Sequence, residues 1–278
     1  MKTTVHIHPQ HTKESACQKT NHLAIVAHQD DAEIIGYSGI QQCYLKESDW
    51  FSSITLTNGS GASRGGRYAN LSDTQLSAIR QSEQIKAAQI GDYAFCIQWD
   101  ISSKELKEQM EFFACELSQQ LATSRPDTIY THCPTDKHST HRVVCEVVIT
   151  AIRKIMQSDH HYKPTIYGVE VWGSLDWVPK EFLVELDCSP MANLEQALIG
   201  IYDSQIDGNK GYDKAVLGRR MANATFNSSH NSDSARSLNL AIELTPLLSD
   251  QSLTISSFLA PILEAFSMQT LAHFNNEK

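Results

Sequence analysis

The sequence lacks paired cysteines, long apolar runs and an excess of basic residues, and each absence excludes a class of protein. Its seven cysteines, at positions 17, 43, 96, 115, 133, 145 and 188, form no Cys-x-x-Cys pair, which is typical of scattered thiols in a reducing compartment. No apolar run approaches 18 residues and the N-terminus has no apolar signal region, so we expect a cytoplasmic protein without a transmembrane segment. The 23 basic residues are outnumbered by 32 acidic ones, which disfavours nucleic acid as a partner.

Two signatures of nucleotide binding are also missing. The glycine-rich segment Asn58–Arg67 has no Gly-Lys-Ser/Thr ending, which argues against a phosphate-binding loop. The first apolar strand is followed by His-Gln-Asp-Asp and not by Gly-x-Gly-x-x-Gly, which argues against a dinucleotide site. The glycine-rich segment therefore predicts a substrate-facing loop in which Arg64 donates hydrogen bonds, with a plain flexible connection as the alternative.

The order of apolar segments predicts an α/β fold. With 278 residues, 41% of them hydrophobic, the chain is long enough for one large globular domain. Strand-like and helical patterns alternate four times between residues 22 and 160, which predicts a Rossmann-like, three-layer fold with a mostly parallel sheet. A different pattern over residues 161–278 predicts a C-terminal α/β extension of the same domain. Residues 1–20 are polar, with histidines at 6, 8 and 11, and predict a tail in front of the single domain 21–278.

Several helix boundaries are marked by local signals. Ser72 and Gln75 form a capping box that predicts a helix from this point to about residue 90, where Gly91 ends it. One continuous helix is expected over 32–45, and another from about residue 103 with an apolar stripe that ends at Leu121. Ser189 is expected to cap a helix that reaches about residue 202, and 203–211 is expected to be a polar loop.

Two polar clusters follow strand-like segments and carry the candidate chemistry. His28, Asp30 and Asp31 come directly after the five apolar residues 23–27, and the cluster 136–141 follows the strand-like segment 128–131. Active sites of open α/β sheets lie at the carboxyl ends of strands. His28 and Asp31 are spaced to converge on one metal ion, which leaves Asp30 free to accept a proton. Two histidines and one aspartate from separate strand ends would form a three-ligand catalytic zinc site with an open position for water. For either cluster alone, a polar turn with a helix cap is the alternative.

These motifs resemble those of the PIG-L/LmbE superfamily of zinc-dependent N-deacetylases. That family opens with Ala-His-Pro-Asp-Asp-Glu/Ala-Glu after a strand, and the segment Ala27–Glu33 is similar to it, with Gln29 in place of the proline. The cluster 136–141 resembles the family's acidic residue followed by His-Pro-Asp-His. The segment 59–65 resembles its Gly-Glu-x-Gly-Thr-Arg-Gly loop, and Arg80-x-x-Glu83 resembles its second-helix signature. The resemblance covers residues 22 to about 150.

The resemblance implies a hydrolase that removes an acetyl group from an N-acetylated amino sugar, such as N-acetylglucosamine, or from a related small amide. One Zn²⁺ per chain would be held by His28, Asp31 and His141. Asp30 would take the proton of the attacking water, and His138 would stabilise the negative oxygen that forms. Arg64 matches the arginine of the family that contacts the substrate. Either Asp30 or His138 could protonate the leaving amine.

Two departures from the family pattern leave a second hypothesis open. Thr140 stands where the family has an aspartate that would hold the proton of His138, so Asp136 or another carboxylate would have to replace it. Ser60 stands where a glutamate is common. The alternative function is therefore a catalytically weak family member that binds a sugar or a metal without turnover. On either hypothesis the partner is a small N-acetylated sugar or glycoconjugate, and a homo-oligomer stays open.

Overall fold

An eight-stranded sheet forms the centre of the chain, whose computed structural model describes residues 2–275 apart from the side chains of residues 209, 273 and 275. The strands are β1 Thr3–Ile7, β2 Thr20–Val26, β3 Trp50–Thr55, β4 Phe95–Trp99, β5 Thr128–His132, β6 Thr165–Val169, β7 Leu183–Asp187 and β8 Leu238–Glu243. Their order across the sheet is β1-β4-β3-β2-β5-β6-β8-β7. Strands β2 to β6 run parallel, whereas β1 is antiparallel to β4 and β8 is antiparallel to both neighbours. The predicted mostly parallel α/β sheet is confirmed.

Helices cover both faces of this sheet. They are α1 Lys13–Lys19, α2 Asp31–Ile35, α3 Tyr37–Cys43, α4 Asp73–Ile90, α5 Ser103–Glu108, α6 Met110–Leu121, α7 Ser139–Ser158, α8 Ala192–Gly200, α9 Asp203–Gln205, α10 Tyr212–Phe226, α11 Pro246–Ser249 and α12 Ile255–Asn275. Alternate residues of β2 enter two separate hydrophobic clusters, as expected for a strand buried on both faces. Residues of α6 and α7 complete one cluster, and residues of α2, α3, α4 and α8 complete the other. The result is the predicted three-layer arrangement.

The strand order locates the candidate site. From β2 the chain moves to β3 and β4 on one side, and then crosses to β5 and β6 on the other side. The order therefore reverses between β2 and β5, which pair in parallel from His22 opposite Thr128 to Ala24 opposite Tyr130. Ligands of open α/β sheets bind in the crevice at the carboxyl ends of strands where this reversal occurs. Both polar clusters found in the sequence begin just beyond these two strand ends.

The N-terminal segment is not the polar tail that its composition suggested. Residues Thr3–Ile7 form edge strand β1, in which Thr3 pairs with Trp99 and Ile7 with Phe95 of β4. Helix α1 then begins after Thr12, whose hydroxyl accepts a hydrogen bond from the Ser15 backbone N–H in a capping box. The polarity of this segment reflects its place at an exposed sheet edge, where only alternate side chains are covered.

Some helix predictions are confirmed and others need correction. Helix α4 begins after the predicted capping box of Ser72 and Gln75 and ends at Gly91. The helix expected over 32–45 is broken at Gly36, where an added Cβ would lie 2.8 Å from both the Ala32 carbonyl oxygen and the Phe51 ring. The helix expected from residue 103 is likewise divided, at residue 109. At Gly36 close packing against Phe51 of the sheet and the preceding turn overrides the continuous helical pattern, whereas at Gln109 the backbone leaves helical values (φ −130, ψ 38).

The C-terminal half contains two further corrections. Helix α8 begins after Met191 and has no side-chain cap, because the Ser189 hydroxyl instead accepts the backbone N–H of Arg236 at 2.9 Å. The expected polar loop 203–211 consists of α9 and the π-helical turn Ile206–Lys210.

Helix α12 is long and apolar enough to cross a membrane by length and composition alone. Its window Ile255–Ala272 has a mean hydropathy of 1.2, and 6% of that window is buried. The helix is tied to the domain through Ile262, which is 1% exposed in the hydrophobic core, and through Phe266, whose ring lies 5.6 Å from the Trp177 ring.

Candidate metal centre

The loop after β2 presents the first polar cluster in a tightly held conformation. The buried Gln29 side chain donates hydrogen bonds to the Thr57 carbonyl oxygen and to Gln98 Oε1, both at 3.2 Å. Asp30 has φ 92, a left-handed backbone value that is uncommon for a residue with a side chain. The amide of Gln29 therefore ties this loop to β4 and to Thr57 just beyond β3, at the position where the family that the motif resembles has proline. It holds Asp30 and Asp31 on the crevice side of the sheet.

His28, Asp31 and His141 are brought together as predicted. One nitrogen or carboxylate oxygen from each residue lies within 4.8 Å of the others. Asp31 Oδ2 lies 3.3 Å from His28 Nδ1 and 3.5 Å from His141 Nε2. Burial lowers the pKa of His28 to about 4, so this imidazole is neutral and has a free lone pair at physiological pH. Burial raises the pKa of Asp31, but the adjacent His141 and His132 outweigh this effect and hold it well below its usual range.

Asp136 supports His141 from behind. The carboxylate is 2% exposed, and its Oδ2 lies 3.3 Å from His141 Nδ1. The same carboxylate accepts the backbone N–H of His138 at 2.7 Å and that of Trp172 at 3.1 Å. A proton kept on His141 Nδ1 leaves Nε2 free to face Asp31, which is how carboxylates orient histidine ligands in metal sites. Asp136 therefore lies against the ring of His141, whereas its hydrogen bond to His138 is with the backbone N–H.

These contacts fit a divalent metal ion. Burial lowers the pKa of His141, but the Asp31 and Asp136 carboxylates on either side raise it further, so that the net shift is upward. The raised pKa means that His141 readily takes up a second proton between these carboxylates. A metal cation held by the three residues would take the place of this proton. Two imidazoles and one carboxylate, with a carboxylate behind one imidazole, form a donor set suited to zinc.

His132 is a member of this cluster that the sequence analysis missed. It is the last residue of β5, is fully buried, and stacks on His141 with 3.8 Å between ring centroids. Its Nε2 accepts the backbone N–H of Ala27 at 2.9 Å. His132, Asp136 and His141 also have donor atoms within 4.8 Å of one another. A histidine at the end of an apolar strand, comparable to His28 just beyond β2, was the signal that could have identified it.

Asp30 lies beside the metal ligands in contact with a buried arginine. Arg80 Nη2 lies 3.4 Å from Asp30 Oδ2 and donates a 2.6 Å hydrogen bond to the Gln29 carbonyl oxygen. Burial raises the pKa of Asp30 well above its usual range, and the Arg80 guanidinium only partly opposes this. Asp30 therefore holds a proton more readily than an ordinary carboxylate, as a group that accepts and returns a proton requires. Arg80, found in the sequence only as part of a helix signature, contributes directly to the site.

A fully buried glutamate fixes the helix that carries Asp31. Glu33 accepts hydrogen bonds from Gln84 at 2.9 Å, from the Tyr93 hydroxyl at 2.7 Å and from the Tyr202 hydroxyl at 2.5 Å. Burial raises its pKa to about 7, and these donors limit the shift. The contacts join α2 to α4 and to the C-terminal half of the chain, so both halves position the candidate ligand Asp31.

His138 and Thr140 lie at the open side of the centre. His138 is half-buried at the start of α7, with its ring centroid 5.1 Å from that of His28 and 4.6 Å from that of His141. Burial and then the nearby His141 lower its pKa. Its Nδ1 has no hydrogen-bond partner among the described residues. Thr140 is 1% exposed, and its side chain is not bonded to the His138 ring in the described chain.

Arg64 is not brought together with the other predicted residues. Its guanidinium pairs with Asp73 and also donates to the Ser60 carbonyl oxygen at 3.1 Å. The glycine-rich loop itself does reach the site, because Gly59, Gly61 and 62–63 line the space above the metal ligands. The space is lined by the cations Arg80, from helix α4, Lys107 and Lys210.

A cavity of about 620 Å³, which we call the catalytic cavity, lies above this cluster. Its floor is formed by His28, Asp30 and Asp31, and its walls include His138, Trp172 and Tyr212. This volume is in the range of small-molecule sites. The centre can therefore admit a small organic substrate whose reacting group reaches the metal ligands and Asp30 together.

The comparison with protein families agrees with these motifs. Residues 23–152 match the family model described as PIG-L: GlcNAc-PI de-N-acetylase. None of the curated proteins compared with the chain matches it.

Solved structures share this fold at low sequence identity. The N,N'-diacetylchitobiose deacetylase of Pyrococcus horikoshii is 18% identical with a TM-score of 0.63, over 84% of this chain and 86% of its own. The A40926 pseudoaglycone deacetylase is 14% identical with a TM-score of 0.58, over 82% of this chain and 98% of its own. The 4-carboxy-2-hydroxymuconate hydratase of Pseudomonas putida is 18% identical with a TM-score of 0.61, over 81% of this chain and 95% of its own.

Proposed function

Because the chain has a PIG-L family domain over residues 23–152, we propose that it is a zinc-dependent hydrolase that removes the acetyl group from an N-acetylated amino sugar or a related small amide. The observation that carries this proposal is the grouping of His28, Asp31 and His141 within 4.8 Å beside the buried Asp30. Metal ligands and a proton acceptor at the floor of one cavity are what amide hydrolysis by water needs.

Zinc bound to these three ligands would supply a Lewis acid that makes water a nucleophile at neutral pH. Asp30 then accepts a proton from the water that attacks the acetamide carbonyl carbon. Because burial raises the pKa of Asp30, the protonated carboxyl persists long enough to serve as an acid in turn. The C–N bond breaks, the amine leaves with a proton from Asp30 or His138, and acetate is the second product.

His138 stabilises the carbonyl oxygen as it becomes negative. Its ring faces the catalytic cavity next to the metal ligands, and a donor in such a position is worth about 10²- to 10³-fold in rate. The backbone N–H of His138 is held by Asp136, so the carboxylate behind His141 also fixes the start of α7.

We place this activity in the cytoplasm. All seven cysteines have free thiols, and six of them are buried, which suits a reducing compartment.

The first test measures zinc and acetate together. We expect about one zinc per chain. Acetate should be released from at least one member of a panel of N-acetylated sugars, glycolipids and sugar nucleotides. His28→Ala, Asp31→Ala and His141→Ala should each lower the zinc content, whereas His161→Ala, at an exposed histidine, should not.

Full zinc occupancy in all three ligand variants would overturn the metal assignment. Bound zinc without acetate release from any member of the panel would favour the non-catalytic hypothesis. One of the similar folds belongs to a hydratase, so loss of substrate alone would not identify the reaction. The assay must therefore measure the release of acetate.

A further inference from the structure

A second cavity adjoins the catalytic cavity and has no part in the reaction described above. It has a volume of about 330 Å³ and shares Ile34, Val171, Trp172, Lys210 and Tyr212 with the walls of the catalytic cavity. We call it the apolar chamber. Because these five residues line both cavities, a substrate bound at the proposed metal ligands can extend directly into the chamber.

The walls of the chamber suit a compact apolar group. Aliphatic side chains come from Ile34, Val171 and Val216, and the Trp172 ring meets the Tyr212 ring edge-on with 6.1 Å between their centroids. Trp172 is 39% exposed although it lies in the interior of this site. Exposed aromatic and aliphatic surface inside a concave site is what a ring or short alkyl group would cover.

The polar groups of the chamber floor are already engaged. Arg220 pairs with Glu195 at 2.5 Å and donates to Asn239 at 2.9 Å. Glu170 accepts the backbone N–H groups of Leu175 at 3.0 Å and Leu240 at 3.2 Å. Arg220 and Glu170 therefore already have hydrogen-bond partners within the protein and do not require a polar group of a ligand.

Two cations of the chamber wall, unlike Arg220, are not paired with a carboxylate among the described residues. Lys210 lies over the Trp172 ring, with Nζ 5.2 Å from its centroid, and Arg219 donates to the Val171 carbonyl oxygen. Within residues 2–275 neither side chain forms an ion pair with a carboxylate. Burial raises the pKa of Glu170, the one carboxylate among the described lining residues of the chamber, and Arg219 partly opposes this shift. In a chain with net charge −9, two cations without an ion pair beside one apolar cavity favour an anionic group.

We propose that the apolar chamber binds the group attached to the amino sugar of the substrate, and that this group is a compact apolar unit, such as an aromatic ring, with an acidic substituent. The inference rests on the proposed deacetylase function and specifies its substrate class. The acyl side of the amide is a poorer occupant, because an alkyl chain would bring no negative charge to Lys210 and Arg219, whose present partners, the Trp172 ring and the Val171 carbonyl oxygen, are uncharged.

Kinetics on matched glycosides test the proposal. The probes are the methyl, phenyl and 4-carboxyphenyl glycosides of N-acetylglucosamine, with acetate release as the readout. We expect kcat/KM to rise in that order, with about 10-fold or more between the methyl and the 4-carboxyphenyl compounds. Ala215→Phe, which places a ring in the chamber from an exposed position of α10, should reduce this ratio to about 2-fold or less. Lys214→Phe adds the same ring one residue away, outside the chamber lining, and should keep the wild-type ratio.

Arg219→Gln tests the charge separately. The glutamine amide can still donate to the Val171 carbonyl oxygen, but it carries no charge. The preference for the 4-carboxyphenyl over the phenyl glycoside should disappear in this variant, while the preference for phenyl over methyl stays. A preference that remains in Arg219→Gln and in Lys210→Gln would overturn the acidic part of the proposal.

Binding without turnover separates failure of the chamber from failure of the enzyme. Titration calorimetry with 4-carboxyphenyl glucoside, which has no amide, should give a Kd at least 5-fold weaker for Ala215→Phe than for Lys214→Phe. Equal affinities together with equal glycoside ratios would sink the chamber proposal, even for an active deacetylase. If the chamber binds 4-carboxyphenyl glucoside selectively but no glycoside releases acetate, the chamber proposal stands and the proposed deacetylase function is refuted. A loss in Ala215→Phe confined to longer N-acyl chains would assign the chamber to the acyl group and overturn the proposal.

Discussion

Replacing Asp136 with asparagine would test how His141, the proposed metal ligand, is oriented. Asp136 Oδ2 lies 3.3 Å from His141 Nδ1, and its two oxygens also accept the backbone N–H groups of His138 and Trp172. An asparagine keeps one acceptor oxygen and turns the other into a donor. If the amide nitrogen faces His141, the ring must move its proton to Nε2, the atom needed for the metal. If it faces His138 instead, the backbone N–H at the start of α7 loses its acceptor.

The expected loss of zinc affinity follows from the orientation in which the amide nitrogen faces His141. Loss of a carboxylate that orients a ligating histidine lowers metal affinity by about 10- to 100-fold, or about 1.4 to 2.8 kcal/mol. Competition for zinc against a chelator of known affinity would measure this change. Asp176→Asn is the control, because that exposed carboxylate accepts a hydrogen bond from the Ser174 hydroxyl and does not line the catalytic cavity.

Thermal unfolding with zinc in excess would separate loss of the metal from loss of folding. A zinc affinity of Asp136→Asn equal to that of the control, in a protein of normal stability, would refute the role assigned to Asp136. It would mean that another group sets the tautomer of His141 or that this ring does not bind the metal.

Three further substitutions test the remaining side chains. Asp30→Asn should keep zinc but lower kcat by about 10²- to 10⁴-fold, since an amide cannot accept the proton of water; near-normal turnover would remove Asp30 from the reaction. Arg64→Ala should change KM and kcat by less than about 3-fold, because Arg64 pairs with Asp73 outside the catalytic cavity; a large rise in KM would restore it as a substrate contact. Thr140→Asp should raise the pKa of His138, now lowered by burial and by its neighbours, so activity should persist to higher pH; an unchanged profile with unchanged zinc would argue against a cationic His138.

The sequence predicted the parts of the site that depend on short-range spacing. His28 and Asp31 are separated by one turn, and their convergence follows from the geometry of a strand that leads into a helix. The capping box of α4 and the buried strand β2 are equally local features, and both are confirmed. Because these signals lie within a few residues of one another, no knowledge of the tertiary fold was needed to read them.

The features that escaped prediction depend on which elements become neighbours. His132 joins the cluster only because β5 lies beside β2, which brings its Nε2 to the Ala27 N–H. The glycine-rich loop was expected to present Arg64 to the substrate, yet Asp73 draws that side chain away and Arg80 faces the cavity instead. The length and apolar character of helix α12 were also not predicted from apolar runs, because polar residues interrupt its apolar ones.

Strand β1 gives the first residues of the chain a protective role. The five residues of β4 are fully covered, and the edge of this strand that faces away from β3 is paired only with β1. In a chain trimmed to residues 23–152, the backbone groups of β4 on one side and of β5 on the other would lose their partners. Two unpaired edges of apolar strands are templates for pairing with other chains. The short N-terminal strand, whose side chains are mostly polar, thus replaces the apolar edge of β4 with an edge less suited to intermolecular β-assembly, although it lies outside the residues that match the family model.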